Sequence, residues 1–388
     1  MDHCDILIVG GGPAGSSCAW RLRHSGLDVV VLDKQIFPRN KVCGGWITPA
    51  VLTELDIDAR EYERGRVLQP ITSFQTGSIG GAPIQTVYDK PVSYGIRRSE
   101  FDDYLLRRSG ARLLLGASLT SLERRQDRWI ANGALEARLV VGAGGHFCPV
   151  ARLTGARKTP EKAVVAQETE FEMNSEQTAS CQVLPETPEL YFCSDMKGYG
   201  WCFRKGQFLN IGLGRLDRQR LSEHVAAFLR FLKSAGRVNF DLPSAMLGHA
   251  YLLFGTDTRD VASDRLLLIG DAAGLAYEQS GEGIRPAIES GLFAAHTILG
   301  AQGKYTDERL NAYRKLLTER FGNSGKEWTS TWGRHLPDSW IASLGRTLLR
   351  NRWFTREVVL DRWFLHRHQP ALNAHGLGMV SKMQSAAV

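Results

Sequence analysis

Residues 6–15, ILIVGGGPAG, decide the fold of this chain. Four apolar residues form a run that is typical of a buried strand, and a glycine-rich turn follows at once. An amphipathic stretch continues to about His24 and predicts a helix, and Val29 to Leu32 predict a second strand that is closed by Asp33. Strand, turn, helix and strand form a βαβ unit, so the sequence predicts an α/β fold built on a parallel sheet.

The glycines of this turn are spaced as G-x-G-x-x-G, which predicts dinucleotide binding. The spacing allows a tight turn, a close approach of the backbone to a pyrophosphate and close packing of the helix on the strand. Asp33 lies 23 positions after Gly10, where its carboxylate can accept hydrogen bonds from ribose hydroxyls. A purely structural turn is the alternative. The residues expected to contact the dinucleotide here are Gly10, Gly12, Pro13, Ala14, Gly15, Asp33 and Lys34.

A second glycine motif favours FAD over NAD, since the first motif fits either cofactor. Residues 268–274, LIGDAAG, follow a strand-like run, and residues 280–284, SGEGI, come next. This order resembles the FAD-containing reductases and hydroxylases of the aromatic-hydroxylase fold. The resemblance implies that the Asp binds the ribityl chain and that backbone N–H groups of the second segment lie near the flavin ring. The implied FAD contacts are Asp271, Gly281, Gly283 and Ile284.

Two further segments resemble the geranylgeranyl reductase family. Residues 37–45, FPRNKVCGG, resemble its P-R-x-K-x-C-G-G segment, and residues 198–214 resemble its Y-x-W-x-F-P-K…N-x-G-x-G run. Arg204 stands where that family has Pro, and the matches span residues 6 to about 295. Further FAD contacts implied by the resemblance are Arg39, Lys41, Cys43, Gly44, Arg98 and the backbone near Leu119.

The same resemblance implies a reaction: reduction of C=C bonds in a prenyl or other hydrophobic substrate by hydride transfer from reduced FAD. Cys43 and Tyr199 are the candidate proton donors, with water as a third source, and packing is the alternative role of each. Trp46, Tyr199 and Trp201 are expected to line the substrate channel, or else to serve as core aromatics. No second dinucleotide domain is visible, so the electron donor is either NAD(P)H that binds transiently or another reduced carrier.

Two other functions fit the same fold. The first is an FAD-dependent monooxygenase, an aromatic hydroxylase or halogenase-like enzyme that acts through a flavin hydroperoxide. Gly144 stands where aromatic hydroxylases carry Asp, and the W-x-W-x-I-P run of halogenases is absent, so both versions are less favoured. The second is a flavin-binding protein without turnover, such as a redox sensor or an assembly partner.

Changes in the pattern of apolar residues along the chain predict a discontinuous Rossmann-like FAD domain, an inserted β-rich substrate domain and a helical C-terminal region. Leu119 to Leu122 predict a strand, and apolar residues between Leu221 and Leu232 predict a helix that Gly236 ends. The expected boundaries are 1–65, 96–155 and 256–300 for the FAD domain, 66–95 and 156–255 for the substrate domain, and 301–388 for the helical region.

Composition limits the compartment and the partners. The 388 residues carry a formal charge of +7, which suits binding to nucleic acid, to an anionic membrane or to a phosphate-bearing cofactor. No nucleic-acid-binding motif is found in the sequence, so the first of these partners is not supported. Seven cysteines without a CxxC pair indicate a reduced, cytoplasmic compartment, and no His spacing indicates a metal site. Residues 346–368 predict a basic, aromatic-rich helix. Such a helix either contacts the inner face of a membrane peripherally or packs on its own protein.

Overall fold

A computed structural model describes residues 2–156, 163–217, 220–254, 259–322 and 338–373. The predicted α/β class is confirmed. The strands are β1 (Asp2–Val9), β2 (Val29–Asp33), β3 (Trp46–Ile47), β4 (Leu68–Ile71), β5 (Ser73–Ser78), β6 (Ile84–Val87), β7 (Ser93–Ile96), β8 (Arg112–Leu115), β9 (Leu122–Arg125), β10 (Arg128–Ala131), β11 (Leu135–Gly142), β12 (Val164–Glu172), β13 (Glu189–Phe192), β14 (Gly198–Lys205), β15 (Phe208–Arg215), β16 (Leu247–Tyr251), β17 (Ala262–Ser263) and β18 (Leu266–Leu268).

The helices connect and cover three sheets. They are α1 (Pro13–Leu22), α2 (Pro49–Glu54), α3 (Ala59–Glu63), α4 (Arg98–Arg108), α5 (Pro149–Leu153), α6 (Ser175–Ser180), α7 (Leu221–Ser234), α8 (Ile284–Gly300), α9 (Asp307–Phe321) and α10 (Asp338–Leu348), with a short 3₁₀ helix (Gly270–Ala272) and a π-type helix (Phe354–Phe364).

The largest sheet carries the glycine motifs. Its main order is β17-β18-β11-β1-β2-β8, and β18, β11, β1, β2 and β8 pair in parallel. The last four residues of β1, Ile6 to Val9, are all buried, as expected for a parallel strand that is covered on both faces. Helices α1 and α8 pack on each other beside this sheet: a Cβ on Gly291 would meet the Ala14 carbonyl oxygen at 2.3 Å. The turn after β1 therefore lies at the carboxyl edge of the sheet, where doubly wound folds bind ligands.

The second sheet has seven strands in the order β16-β12-β15-β14-β13-β5-β6. Because side chains alternate along a strand, Cys202 packs on the face that α7 covers, whereas Trp201 and Phe203 lie on the opposite face. A small sheet, β3-β7-β4, adjoins the second sheet: Lys205 Nζ on β14 donates to the Ile96 carbonyl oxygen on β7 at 3.0 Å. The aromatic face of the second sheet packs on the C-terminal segment and lines the cavity.

The prediction of one continuous helix over residues 346–368 is wrong. Helix α10 ends at Leu348, and the π-type helix begins at Phe354, after Asn351 Oδ1 has accepted a hydrogen bond of 3.0 Å from the Phe354 N–H. The apolar residues of this segment pack mainly into the core with the second sheet. Those that are buried are Leu349, Phe354, Val359, Leu360, Phe364 and Leu365.

The predicted strand from Leu119 to Leu122 is also wrong. Leu119 lies in a loop, and β9 begins only at Leu122. The reason is a side chain: Asn132 Oδ1 accepts hydrogen bonds from the N–H groups of Thr120 (2.8 Å) and Ser121 (3.2 Å). These backbone donors are satisfied locally, so they do not join a ladder.

Candidate active site

One cavity of about 740 Å³ lies between the sheets, within the usual range for a ligand site. It brings together nearly all the site residues predicted from the sequence. Those in its wall are Gly10, Gly12, Pro13, Ala14, Asp33, Lys34, Arg39, Lys41, Cys43, Gly44, Trp46, Arg98, Leu119, Tyr199, Trp201, Asp271, Gly281, Gly283 and Ile284. Gly15 is absent from the wall.

Two glycines show why the first motif requires this residue type. Gly10 has φ +118, and a Cβ there would come within 2.3 Å of the Ala143 carbonyl oxygen. A Cβ on Gly15 would meet the Gly10 carbonyl oxygen at 2.0 Å. Gly10 thus keeps the turn against β11, and Gly15 keeps α1 against the turn.

Asp33 is held at the end of β2 by backbone donors. Its Oδ2 accepts a hydrogen bond from the Gly11 N–H at 2.7 Å, and its Oδ1 accepts one from the Gln35 N–H at 2.8 Å. Each carboxylate oxygen keeps a second acceptor position. The fixed carboxylate can therefore bind ribose hydroxyls, which is the role predicted from its spacing.

A buried carboxylate holds two arginines at the cavity wall. Asp102 accepts two bonds of 2.8 Å from Arg98, and its Oδ2 lies 3.1 Å from Nη2 of Arg39. Burial opposes the charge of Arg98, but Asp102 and the neighbouring Cys43 hold its pKa above the ordinary value. Nη1 of Arg39 is buried with no hydrogen-bond partner within the described ranges, so one donor remains for an anionic ligand.

Lys41 and Asp271 are joined through a histidine that the sequence did not single out. Lys41 Nζ lies 3.0 Å from Nδ1 of His249, and Nε2 of His249 lies 3.9 Å from Asp271 Oδ2. Burial lowers the pKa of Lys41 and of His249 and raises the pKa of Asp271. The imidazole is therefore neutral, which leaves it free to accept from the lysine ammonium.

The loop that carries Cys43 is fixed from the second sheet. The Cys43 N–H donates to Oε1 of Glu168, and Asn210 Nδ2 donates to the Cys43 carbonyl oxygen at 3.2 Å. The Gly45 N–H lies 3.4 Å from the Cys43 sulfur. The thiol is half-buried, whereas the other six cysteines are buried, and all seven are free.

Aromatic side chains form the other end of the cavity. Trp46 stacks on Phe364 with ring centroids 5.6 Å apart, and Tyr199 meets Phe364 edge-on at 5.2 Å. Trp201 and Phe203 complete this wall, and Trp201 Nε1 donates to Asn210 Oδ1 at 2.7 Å. We call this group the aromatic end and the region around Gly10, Asp33 and the two arginines the nucleotide end.

Several lining residues escaped the sequence analysis: Phe203, Glu168, His249, Tyr251 and Phe364. Phe203 stands inside the quoted reductase-like segment and could have been found there. Glu168 lies in a stretch without a motif, and Phe364 lies in the segment predicted to be a basic, aromatic-rich helix. Only the pairing of β12 and the return of the C-terminal segment bring them to the cavity.

The cavity fits FAD by its own chemistry. Gly12 precedes α1 without a side-chain cap, so the first N–H groups of a ten-residue helix remain for a pyrophosphate. Asp33 suits a ribose, the free donor of Arg39 suits a phosphate, and the aromatic end suits a flat ring or an apolar chain. Fold and cavity together define an FAD-dependent oxidoreductase.

Comparison with known proteins narrows this class. Residues 5–71 match the family described as DAO, FAD dependent oxidoreductase. The menaquinone reductase of Mycobacterium tuberculosis is 28% identical over 382 residues, with 90% of each chain covered. Digeranylgeranylglycerophospholipid reductase 2 of Methanosphaera stadtmanae is 27% identical, with 84% of this chain and 86% of the relative covered. The geranylgeranyl diphosphate reductase of Rhodobacter capsulatus is 28% identical, with 79% and 78% covered. Over most of its length, the chain is similar to relatives named as geranylgeranyl reductases.

Solved structures share the fold. A geranylgeranyl bacteriochlorophyll reductase-like protein from Thermoplasma acidophilum superposes with a TM-score of 0.71 at 22% identity, over 90% of this chain and 88% of the other. A mutant of the halogenase PltM in complex with FAD gives 0.65 at 18% identity, over 81% and 74%. Among the described residues, no helix combines the length and the apolar character needed to cross a bilayer.

Proposed function

We propose that this protein reduces C=C bonds of a prenyl or other hydrophobic chain with electrons from bound FAD. The observation that carries the proposal is the continuity of one cavity from the nucleotide end to the aromatic end. Trp46, Trp201 and Phe364 offer an extended apolar surface, which suits a hydrocarbon chain better than a small polar substrate. Relatives named for geranylgeranyl-bearing substrates support the same substrate class.

The residues of the cavity have separate tasks in this reaction. When bound and reduced, FAD supplies the hydride. The glycine turn, Asp33 and the arginine pair hold its nucleotide part, and the backbone at Gly283 and Ile284 faces the cavity where resemblance expects the flavin ring. The aromatic side chains exclude water from the double bond. Cys43 and Tyr199 are the sequence-derived candidates for the proton donor, and NAD(P)H is the proposed transient reductant.

The alternative is a monooxygenase, because the halogenase PltM has the same fold. The two functions differ in what oxidises the reduced cofactor. A reductase passes its electrons to an alkene without oxygen, whereas a monooxygenase passes them to O₂ and forms a hydroxylated or halogenated product.

Anaerobic mixing tests the proposal. The flavin-loaded protein is reduced chemically and mixed without oxygen with geranylgeranyl diphosphate, and the flavin absorbance is followed. We expect prompt reoxidation, with one double bond saturated per flavin, as measured by mass spectrometry. The fully saturated phytanyl analogue is the control and leaves the flavin reduced. Reoxidation by air alone, with oxygen found in the product of an aromatic substrate, contradicts the proposal and supports the monooxygenase.

We place the protein in the cytoplasm, with a peripheral contact to the inner face of a membrane. Since Phe354 and Phe364 are buried, the surface left for lipid is narrower than residues 346–368 suggest. It consists of Trp353, which is 68% exposed, and the exposed arginines around it. These are Arg346, Arg350, Arg352 and Arg356.

A further inference from the structure

Glu168 is a buried carboxyl group with one oxygen left over. The residue is 4% exposed and lies in the cavity wall. Its Oε1 accepts the hydrogen bond from the Cys43 N–H, but its Oε2 has no hydrogen-bond partner in the part of the chain that the structure describes. A buried carboxylate oxygen without a donor is unfavourable, whereas a protonated oxygen can itself donate to a ligand.

The strand pairing places this group in the cavity wall, beside Trp201 and the Cys43 loop. Ala166 and Glu168 alternate along β12 and both line the cavity. The partner of Glu168 on β15 is Gly212. A Cβ on Gly212 would lie 2.7 Å from the Glu168 Cβ and 2.3 Å from the Trp201 ring. Because Gly212 has no side chain, the carboxyl group of Glu168 and the indole of Trp201 can lie side by side.

The surroundings favour the protonated acid near neutral pH. Burial raises the pKa of Glu168 to about 7, although the Cys43 N–H lowers it. Among the neighbouring charges, Lys205 and Arg98 lower this pKa and Glu170 raises it. Lys205 is paired with Glu170 and also donates to a backbone carbonyl, so its charge is largely engaged. His249, on the neighbouring strand β16, is neutral because burial lowers its pKa.

We propose that the carboxyl group of Glu168 is the catalytic proton donor of the C=C reduction, an assignment that rests on the proposed function. The hydride from reduced FAD forms one C–H bond, and the proton on Oε2 forms the other as the π bond breaks. Two electrons pass from the reduced cofactor to the alkene, and the O–H electron pair stays on Oε2. The carboxylate then takes a proton from water before the next turnover.

The two sequence-derived candidates are less well placed for this step. The Tyr199 hydroxyl already donates to the carbonyl oxygen of Ser280, and burial raises its pKa well above 10. Cys43 Sγ accepts a hydrogen bond from the Gly45 N–H, and a thiol is a weaker hydrogen-bond donor than a carboxylic acid. Glu168 offers a free oxygen and an acidity close to that of the medium, which is the condition for efficient general-acid catalysis.

Glu168→Gln separates proton donation from positioning. The amide oxygen still accepts from the Cys43 N–H, but the side chain cannot supply a proton. In the anaerobic mixing experiment we expect reoxidation by geranylgeranyl diphosphate to slow by about 10²-fold. The wild-type rate should fall as pH rises through about 7, because the acid is lost, and Glu168→Gln should lose this dependence. Glu172→Gln, an exposed change on the same strand, is the matched control and keeps both rate and profile.

Infrared spectroscopy supplies a readout that needs no turnover. The oxidised, flavin-loaded protein should show a carboxylic-acid C=O band that titrates near pH 7, is diminished in Glu168→Gln and is intact in Glu172→Gln. Glu282, whose pKa burial also raises to about 7, contributes a similar band, so the difference between the variants carries the assignment.

Three results overturn the assignment. They are a Glu168→Gln protein with the wild-type rate and pH profile, an infrared band unchanged by that substitution, and a pH dependence that disappears in Cys43→Ser or Tyr199→Phe instead. The last of these decides the question even if Glu168→Gln does not fold. A wild-type protein that reduces no prenyl chain contradicts the proposed function itself, and that failure is visible before any variant is made.

Discussion

The nucleotide end and the aromatic end of the cavity are built on different principles. The nucleotide end uses backbone geometry and permanent charges: Gly10 allows the turn, and Arg98 is held by Asp102. The aromatic end uses side chains from distant segments, such as Trp46 and Phe364, and buried groups that can change their charge. The first end should therefore respond sharply to backbone changes, and the second to pH and to the shape of side chains.

The largest effect should come from breaking the nucleotide end with Gly10→Ala. The added Cβ would lie 2.3 Å from the Ala143 carbonyl oxygen, in a conformation that L-residues rarely adopt. We expect the affinity for FAD to fall by more than about 10³-fold, because the added Cβ cannot be accommodated unless either the turn or the parallel strands shift. The flavin absorbance of the purified protein and titration with free FAD measure this loss.

Gly26→Ala is the matched control, because Gly26 also has a positive φ (+78) but no atom within 4 Å of the added Cβ. It should cost about 1 kcal/mol of stability and leave FAD bound. Equal loss of FAD in both variants would show that backbone strain alone, and not close approach at the motif, controls the nucleotide end.

The same contrast explains how much the sequence could reveal. The nucleotide end follows from residues that are close together in the chain, because each glycine and Asp33 has a task fixed by the local turn. The aromatic end was found only within or directly beside segments that a family resemblance quoted, as with Trp201 and Trp46. Phe364 reaches the cavity because the chain returns to it more than 300 residues after Trp46, and no local pattern encodes such a return.

The sequence did not identify Glu168 as a site residue, for a related reason. A Glu within an alternating strand normally predicts an exposed side chain. Its burial depends on Gly212 of the neighbouring strand and on the Cys43 loop, and neither pairing can be deduced from the sequence around Glu168. The sequence motifs thus predicted the class of cofactor and much of the cavity wall, but not the side chains that distant segments bring to the aromatic end.

Acid should weaken the C-terminal segment beside the aromatic end through His366, two residues after Phe364. This residue stacks on Tyr277 at 3.7 Å, and burial lowers its pKa from 6.5 to about 3. The unfolded chain binds a proton below pH 6.5 that the folded protein refuses until about pH 3, so the free energy of unfolding falls as pH drops through this range. His366→Asn, which tolerates the local φ of +46, should remove about 2 kcal/mol of the loss between pH 6.5 and 5.

Denaturant unfolding at the two pH values measures this difference. His24→Asn, at an exposed position far from the cavity, is the control and should leave the pH dependence as it is. A His366→Asn protein with the wild-type acid loss would mean that the pH sensitivity belongs to other groups whose pKa burial lowers, such as His249 and His368.

The smallest effect is expected from reshaping the aromatic end with Phe364→Leu. Leu keeps an apolar side chain but loses the stacking on Trp46 and the edge contact with Tyr199, together worth about 1 kcal/mol. We expect KM for a prenyl substrate to rise about fivefold while FAD affinity stays the same. Steady-state kinetics under the anaerobic assay and FAD titration measure the two quantities separately.

Trp353→Leu removes an exposed aromatic ring from the same C-terminal segment and provides the comparison for Phe364→Leu. It should change neither KM for a short prenyl substrate in solution nor FAD affinity. If Phe364→Leu released FAD while KM stayed constant, the aromatic end would serve the cofactor and not the substrate. The division of the cavity into two ends would then be wrong. Phe364 belongs to the aromatic end because its ring contacts Trp46 and Tyr199, which are predicted to line the substrate channel.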